Sequence, residues 1–119
     1  MNRRQFSKAV LATATASLTG SVGAQSGAYP TRTVKIISPV APGGGVDLVA
    51  RTVAERLQRA LGQTFIVENM SGGGGVIASQ ATLRAAPDGY TLMLGYVATH
   101  GTNPAMRNIP YNAVKDFTP

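Results

Sequence analysis

Between Thr33 and Tyr96 the chain passes twice through strand, glycine loop and helix and then enters a third strand, and this order constrains its fold more than any other feature. Residues 33–38, TVKIIS, are β-branched and apolar apart from one lysine, which predicts a buried strand. From Asp47 to Leu61 the apolar residues Val49, Val53, Leu57 and Leu61 recur at every fourth position while Arg51, Glu55 and Arg59 line the opposite side, so this segment reads as an amphipathic helix. Glu55 and Arg59 form a favourable i,i+4 pair, and Gly62 stands where a left-handed cap is wanted. The unit then repeats. Residues 64–69 (TFIVEN) read as a strand, 71–75 (SGGGG) as a flexible loop, 76–86 (VIASQATLRAA) as a helix ended by the turn Pro87-Asp88-Gly89, and 90–96 (YTLMLGY) as a third strand. The predicted class is α/β, with a mainly parallel sheet covered by helices through right-handed crossovers.

Ligands of such sheets bind at the carboxyl ends of the strands. All three strands lead into loops of small or polar residues, PVAPGGGVD, NMSGGGG and VATHGTNP. The first two open helices, whose free backbone N–H groups and positive dipole end favour an anion, and a side chain in place of glycine would hold the ligand away from those amides. A carboxylate or phosphate site follows. It is not a nucleotide site of the P-loop kind, because Gly45 is followed by Val46-Asp47 where a lysine and a hydroxyl residue are required. Gly73-x-Gly75-x-x-Ala78 matches a dinucleotide fingerprint, but the next strand closes on Gly95-Tyr96 without the acidic residue that would bind a ribose.

The chain carries 11 basic and 5 acidic residues, and Arg3, Arg4 and Lys8 lie within its first eight positions. The remaining basic residues are scattered singly without interleaved aromatics, so they form a solvated surface and nucleic acid is not a partner. Those N-terminal charges precede the stretch Ala9 to Leu18 and a small-residue segment ending Val22-Gly23-Ala24, which is an export signal with cleavage between Ala24 and Gln25. Arg3-Arg4 resembles a twin-arginine signal. The apolar stretch is too short for a membrane span, and with no cysteine there is neither a disulfide nor a lipid anchor, so stable membrane insertion is not expected and the product is placed in the periplasm.

Candidate chemistry outside the loops is sparse. His100 is the sole histidine and reads as a polar loop residue, Glu68 as a strand-end charge and Asp88 as a turn former. No catalytic residue, metal site or cofactor is assigned. Asp47 has two open readings, a first-turn residue complementing the helix dipole or a ligand or water contact. Gly43 to Gly45 likewise serve either an anion loop or a tight turn alone.

From Tyr29 to Pro119 the chain resembles the N-terminal part of the tripartite tricarboxylate transporter receptors, the Bug-type periplasmic solute-binding proteins. The resemblance is carried by Tyr29-Pro30, Pro42-Gly43-Gly44 with Asp47, Leu61-Gly62-Gln63, Val67-Glu68-Asn69, the glycines 72–75, Ala86-Pro87-Asp88-Gly89-Tyr90, Asn103-Pro104 and Asp116-Phe117. It implies a type II periplasmic-binding fold that closes two lobes on a small organic acid and delivers it to membrane transporter subunits. It also implies three ligand loops: Pro42, Gly43, Gly44, Gly45 and Asp47; Gly73, Gly74 and Gly75; and Ala98, Thr99 and His100. Where the family often has Arg-Pro and Gly-Ala-Gly-Gly, this chain has Met70-Ser71 and four glycines, which predicts a looser second loop.

The expected organisation is an export signal over 1–24, a lead-in over 25–32 and part of a first lobe over 33–119, with the second lobe absent. A solute receptor is the leading function. Two other readings stay open, an exported α/β enzyme acting on an anionic substrate and a fragment with no activity of its own.

Overall fold

The computed structural model of the protein describes residues 28–119, so the export-signal reading of 1–24, with its cleavage point at Ala24 and Gln25, lies outside the described residues. The elements are β1 (Val34–Ser38), α1 (Gly45–Leu61), β2 (Phe65–Asn69), a 3-10 turn (Gly73–Gly75), α2 (Val76–Arg84), β3 (Thr91–Met93), a π-helical turn (Ala98–Thr102) and α3 (Asn103–Met106). Among the described residues no helix is long and apolar enough to cross a membrane.

The three strands form one sheet in the order β2-β1-β3. Both pairings are parallel, with Ile36 opposite Val67 on one side and opposite Leu92 on the other. Since the chain steps from β1 to β2 in one direction and returns past β1 to β3 in the other, right-handed crossovers put α1 and α2 on opposite faces of the sheet. Residue alternation on β1 then sends Val34 and Ile36 to one face and Ile37 to the other, and all three are buried.

The α1 face holds the core cluster of Val34, Ile36, Ala50, Ala54 and Phe65, with Leu57, Val67, Tyr90, Leu92 and Leu94 packed against it. This corrects the stripe expected on α1. Of the four residues read as its inner row, only Leu57 reaches the core; Val49, Val53 and Leu61 are 50%, 40% and 43% exposed. Asp47, Ala50 and Ala54 are buried instead. Small side chains let the helix backbone approach the sheet, and an apolar repeat of four cannot separate this row from the valine row beside it.

Element ends follow local chemistry. Gly62 caps α1 at φ 67°, donating its N–H to the Gln58 carbonyl at 3.0 Å. The first turn of α1 begins at Gly45, two residues before the expected start at Asp47. α2 stops at Arg84 and Ala85 is extended, short of the expected end at 86, and Ala86, which directly precedes Pro87, is itself disfavoured in the helical region. Asp88 forms its turn by accepting the Tyr90 N–H at 3.0 Å, and Arg32 pairs with Asp88 at 2.8 Å, tying the lead-in to that turn. β3 is shorter than residues 90–96. Its last ladder bond runs from the Leu94 N–H to the Ile37 carbonyl at 2.9 Å, after which the Tyr96 N–H is taken by the Thr99 hydroxyl and the chain turns away.

The placement of α1 predicts unequal costs for two polar substitutions. Val53→Gln should change urea-unfolding stability by no more than about 0.5 kcal/mol, as at an ordinary surface site. Ala50→Gln, overfilling a position with no exposed area, should cost about 1–3 kcal/mol or more. Equal losses in the two variants would return the valine row to the core.

Candidate functional site

The loops that leave the three strands meet at the carboxyl edge of the sheet, as the sequence predicts for an α/β ligand site. The Met70 N–H donates to the Ser38 carbonyl at 2.8 Å, and the Asn69 Nδ2 donates to the Val40 carbonyl at 3.0 Å, so the first two loops are stitched together. The second and third meet through Asn103, whose Nδ2 donates to the Gly74 carbonyl at 2.9 Å. Gly75 is where all three converge. A Cβ there would lie 2.4 Å from Thr99 Cγ2, 3.2 Å from Pro39 Cβ and 3.3 Å from Tyr96 Cε1.

In the first loop Pro42, Gly43, Gly44 and Gly45 are all exposed. Gly43 has φ 87°, a conformation that side chains resist, so the turn itself requires glycine. Gly44 is the N-cap of the 17-residue helix α1 and no side chain caps its first turn. The first N–H groups of a helix have no intrahelical acceptor, and a built Cβ at Gly45 meets nothing within 4 Å. This is an open row of amides at the positive end of a long helix, suited to a carboxylate.

Asp47 is the brace of that loop. It is 3% exposed, yet its carboxylate gathers three donors. Oδ2 accepts the Gly43 N–H at 2.9 Å and the Arg51 Nε–H at 3.0 Å, while Oδ1 accepts from Asn69 Nδ2 at 2.7 Å. Its place in the first turn complements the helix dipole as expected, and its oxygens are engaged within the chain. The Arg51 hydrogen bond first, then the Gly43 amide and Asn69, hold its pKa at about 2 against an ordinary 3.8. Arg51 also donates Nη2 to Asn69 Oδ1 at 2.9 Å, closing a ring of Asp47, Arg51 and Asn69 around the start of α1. Asn69 had a signal in the sequence only as part of the Val67-Glu68-Asn69 marker.

In the second loop Gly73 and Gly74 are exposed and Gly75 is buried. The segment is a 3-10 turn with Gly73, Gly74 and Gly75 at φ 58°, 68° and 92°, closed by the Gly75 N–H on the Gly72 carbonyl at 2.9 Å. The expected flexible loop is thus a defined turn, held from outside by Asn103 and from α2 by the Ser79 hydroxyl, which donates to the Gly75 carbonyl at 3.0 Å. Gly75 serves packing between loops.

The third loop folds into the π-helical turn. Ala98 is half-buried, Thr99 fully buried and His100 exposed. The Thr99 hydroxyl bonds to the Tyr96 N–H and carbonyl and lies 2.8 Å from His100 Nδ1, so its role within the chain is to shape the loop. Tyr111 donates its hydroxyl to the Thr99 carbonyl at 2.7 Å, and Phe117 packs on both Tyr111 and His100 with ring centroids 5.9 Å and 5.1 Å away. The residues Tyr111 and Phe117 therefore support the site from below the loop, a role the sequence pattern did not reveal. Ser38, at the carboxyl end of the central strand, is fully buried and its Oγ has no hydrogen-bond partner among the described residues. Glu68 pairs with Lys35 across the strands at 2.6 Å, away from any acid and base couple. Among the described residues no group of three or more His, Asp or Glu could hold a metal ion.

Two outcomes test this geometry. Because the folded pKa of Asp47 lies below its unfolded value, its contribution to stability is complete above pH 3.8 and is lost as pH falls toward 2. Urea-unfolding midpoints measured across that window should therefore drop more steeply for the parent than for Asp47→Asn, and parallel curves would dismiss the brace. Gly75→Ala, forcing a side chain into a left-handed conformation against Thr99, should lose more than about 2 kcal/mol in the same assay.

The chain is similar to known proteins over most of its length. The model of the tripartite tricarboxylate transporter family receptor matches residues 49–119. Protein BugT of Bordetella pertussis is 41% identical over 109 residues, covering 89% of this chain and 32% of BugT. Among solved structures, MatC from Rhodopseudomonas palustris with bound malate is 43% identical with a TM-score of 0.73, over 76% of this chain and 31% of MatC. An R. palustris protein solved with adipate is 39% identical with a TM-score of 0.60, over 60% of this chain and 24% of that one. The chain spans about a third of the length of BugT and of MatC. With 71 of its residues under the family model and a relative 41% identical over 89% of its length, the chain belongs to the tripartite tricarboxylate transporter family of receptors.

Proposed function

We propose that the protein is a periplasmic solute receptor of the tripartite tricarboxylate type, and that the described residues grip a carboxylate of a small organic acid for delivery to membrane transporter subunits. The observation that carries this reading is the uncapped start of α1, an exposed amide row pinned in place by Asp47 and flanked by two further loops. A carboxylate there gains several charge-assisted hydrogen bonds to backbone donors that are already ordered. Malate on MatC and adipate on the second relative make organic diacids the first solutes to try. The export signal over 1–24 supports the periplasmic assignment, and residues 33–119 serve as part of the first lobe of a two-lobed binding protein. Binding, with no chemical conversion, is the whole of the proposed activity.

Gly45→Pro isolates the amide row. Proline suits the first position of a helix, and Gly44 before it is already extended at φ −78° and ψ 164°, so the fold should be undisturbed. The variant should melt at the parent temperature without ligand but bind malate or adipate about tenfold more weakly in calorimetry, the loss of one charge-assisted hydrogen bond. Unchanged affinity would remove these amides from the site. For the parent, a ligand at a hundred times its Kd should add about 2.7 kcal/mol of stability; absence of any shift across organic acids, or turnover of any of them, would overturn the receptor reading.

A further inference from the structure

We infer that Arg107 reads a second carboxylate on the solute and so makes the site selective for diacids over monoacids. The inference rests on the receptor reading and adds a residue that the sequence did not mark.

Arg107 follows α3, and its guanidinium lies against the second loop. A Cβ built at Gly74 would be 2.8 Å from Arg107 Nη2 and 3.3 Å from Asn103 Oδ1, so the loop yields its side-chain space to this group. Nε donates to Asn103 Oδ1 at 3.1 Å, and Nη2 donates to the same oxygen. Asn103 is 3% exposed and its Nδ2 is anchored on the Gly74 carbonyl, so a buried amide aims the arginine. A guanidinium has five N–H donors, and this use leaves both on Nη1 and one on Nη2, a side-by-side fork that matches a carboxylate.

None of the protein's acidic side chains neutralises it. The chain has five, and each is occupied elsewhere: Asp47 with Arg51, Glu55 with Arg59, Glu68 with Lys35, Asp88 with Arg32, and Asp116 on the Asn112 N–H at 2.6 Å. Arg107 itself is exposed. An oriented cation without an anion, set on the glycine turn of the loop that is joined to the first, is an anion subsite in its own right. One carboxylate on the amides and another on the fork accounts for both groups. Lysine would supply the charge without the planar fork.

The test is calorimetric titration of the full chain, Arg107→Gln and Arg107→Lys with two matched pairs, adipate against hexanoate and malate against 2-hydroxybutyrate. In each pair a methyl group replaces one carboxylate. Arg107→Gln should weaken both diacids by roughly tenfold or more, leave both monoacids within about twofold, and thereby erase the parent's preference, while Arg107→Lys falls between. Circular dichroism melting should be unchanged, since the replaced side chain is exposed. If the parent binds these acids and Arg107→Gln weakens mono- and diacids alike, or neither, the assignment of Arg107 is overturned while the receptor reading stands. If the parent binds none of the four, the receptor reading falls and takes this inference with it.

Discussion

The structure hangs on β1, a five-residue strand paired on both sides. Its flanks receive the Val34 N–H bond to the Thr64 carbonyl, the Lys35 bond to Tyr90, the Met70 bond to Ser38 and the Leu94 bond to Ile37, all between 2.8 and 2.9 Å. A strand with two parallel neighbours must be covered on both faces, since each crossover carries a helix across the sheet. The apolar run VKIIS meets that demand, with Val34, Ile36 and Ile37 at or below 4% exposure. Because all strands point the same way, their carboxyl ends are brought to one edge, and the three loops have no other place to go.

At that edge the difficulty is to keep glycine-rich backbone ordered while leaving its amides free. Glycine carries the largest conformational entropy cost of any residue, so such loops need external ties. Asp47 supplies the tie for the first loop by holding Gly43 from inside the helix that the loop opens. Asn69 links the brace to the end of β2, and Asn103 plays the corresponding part for the second loop through the Gly74 carbonyl. The polar groups doing this work are buried or half-buried, and each satisfies more than one partner. The backbone of Gly43, Gly44, Gly45, Gly73 and Gly74 between them stays exposed, with the positive end of α1 and the Arg107 side chain at these loops.

Much of this was legible in the chain. Strand and helix identity, the parallel sheet and the position of the glycine loops at one edge followed from β-branched runs, the spacing of charged and apolar residues, and turn residues such as Gly62 and Asp88-Gly89. The face of α1 did not follow, because Val49 and Val53 outweigh Ala50 and Ala54 in any hydropathy pattern while a close helix-to-sheet contact favours the alanines. The folded third loop was hidden for a related reason. Its π-helical turn depends on Tyr111 and Phe117, which lie about ten and more positions along the chain and carry no local signal for it.

By itself the amino-acid sequence determined the class of the fold, the family and the edge where the glycine loops gather, because these depend on local propensity, on periodicity and on the order of short motifs. Tertiary structure decided which polar residues brace the loops and which charge is left exposed beside them. Asp47 turns inward onto Gly43, Arg51 and Asn69, whereas Arg107 is left without an acid partner beside Gly74. Both are single charged residues in a pattern of many. Each bonds a residue four positions away, but the tie of Asp47 to Asn69, and that of Asn103, the anchor of Arg107, to Gly74, exist only once β1 has drawn its two neighbours together.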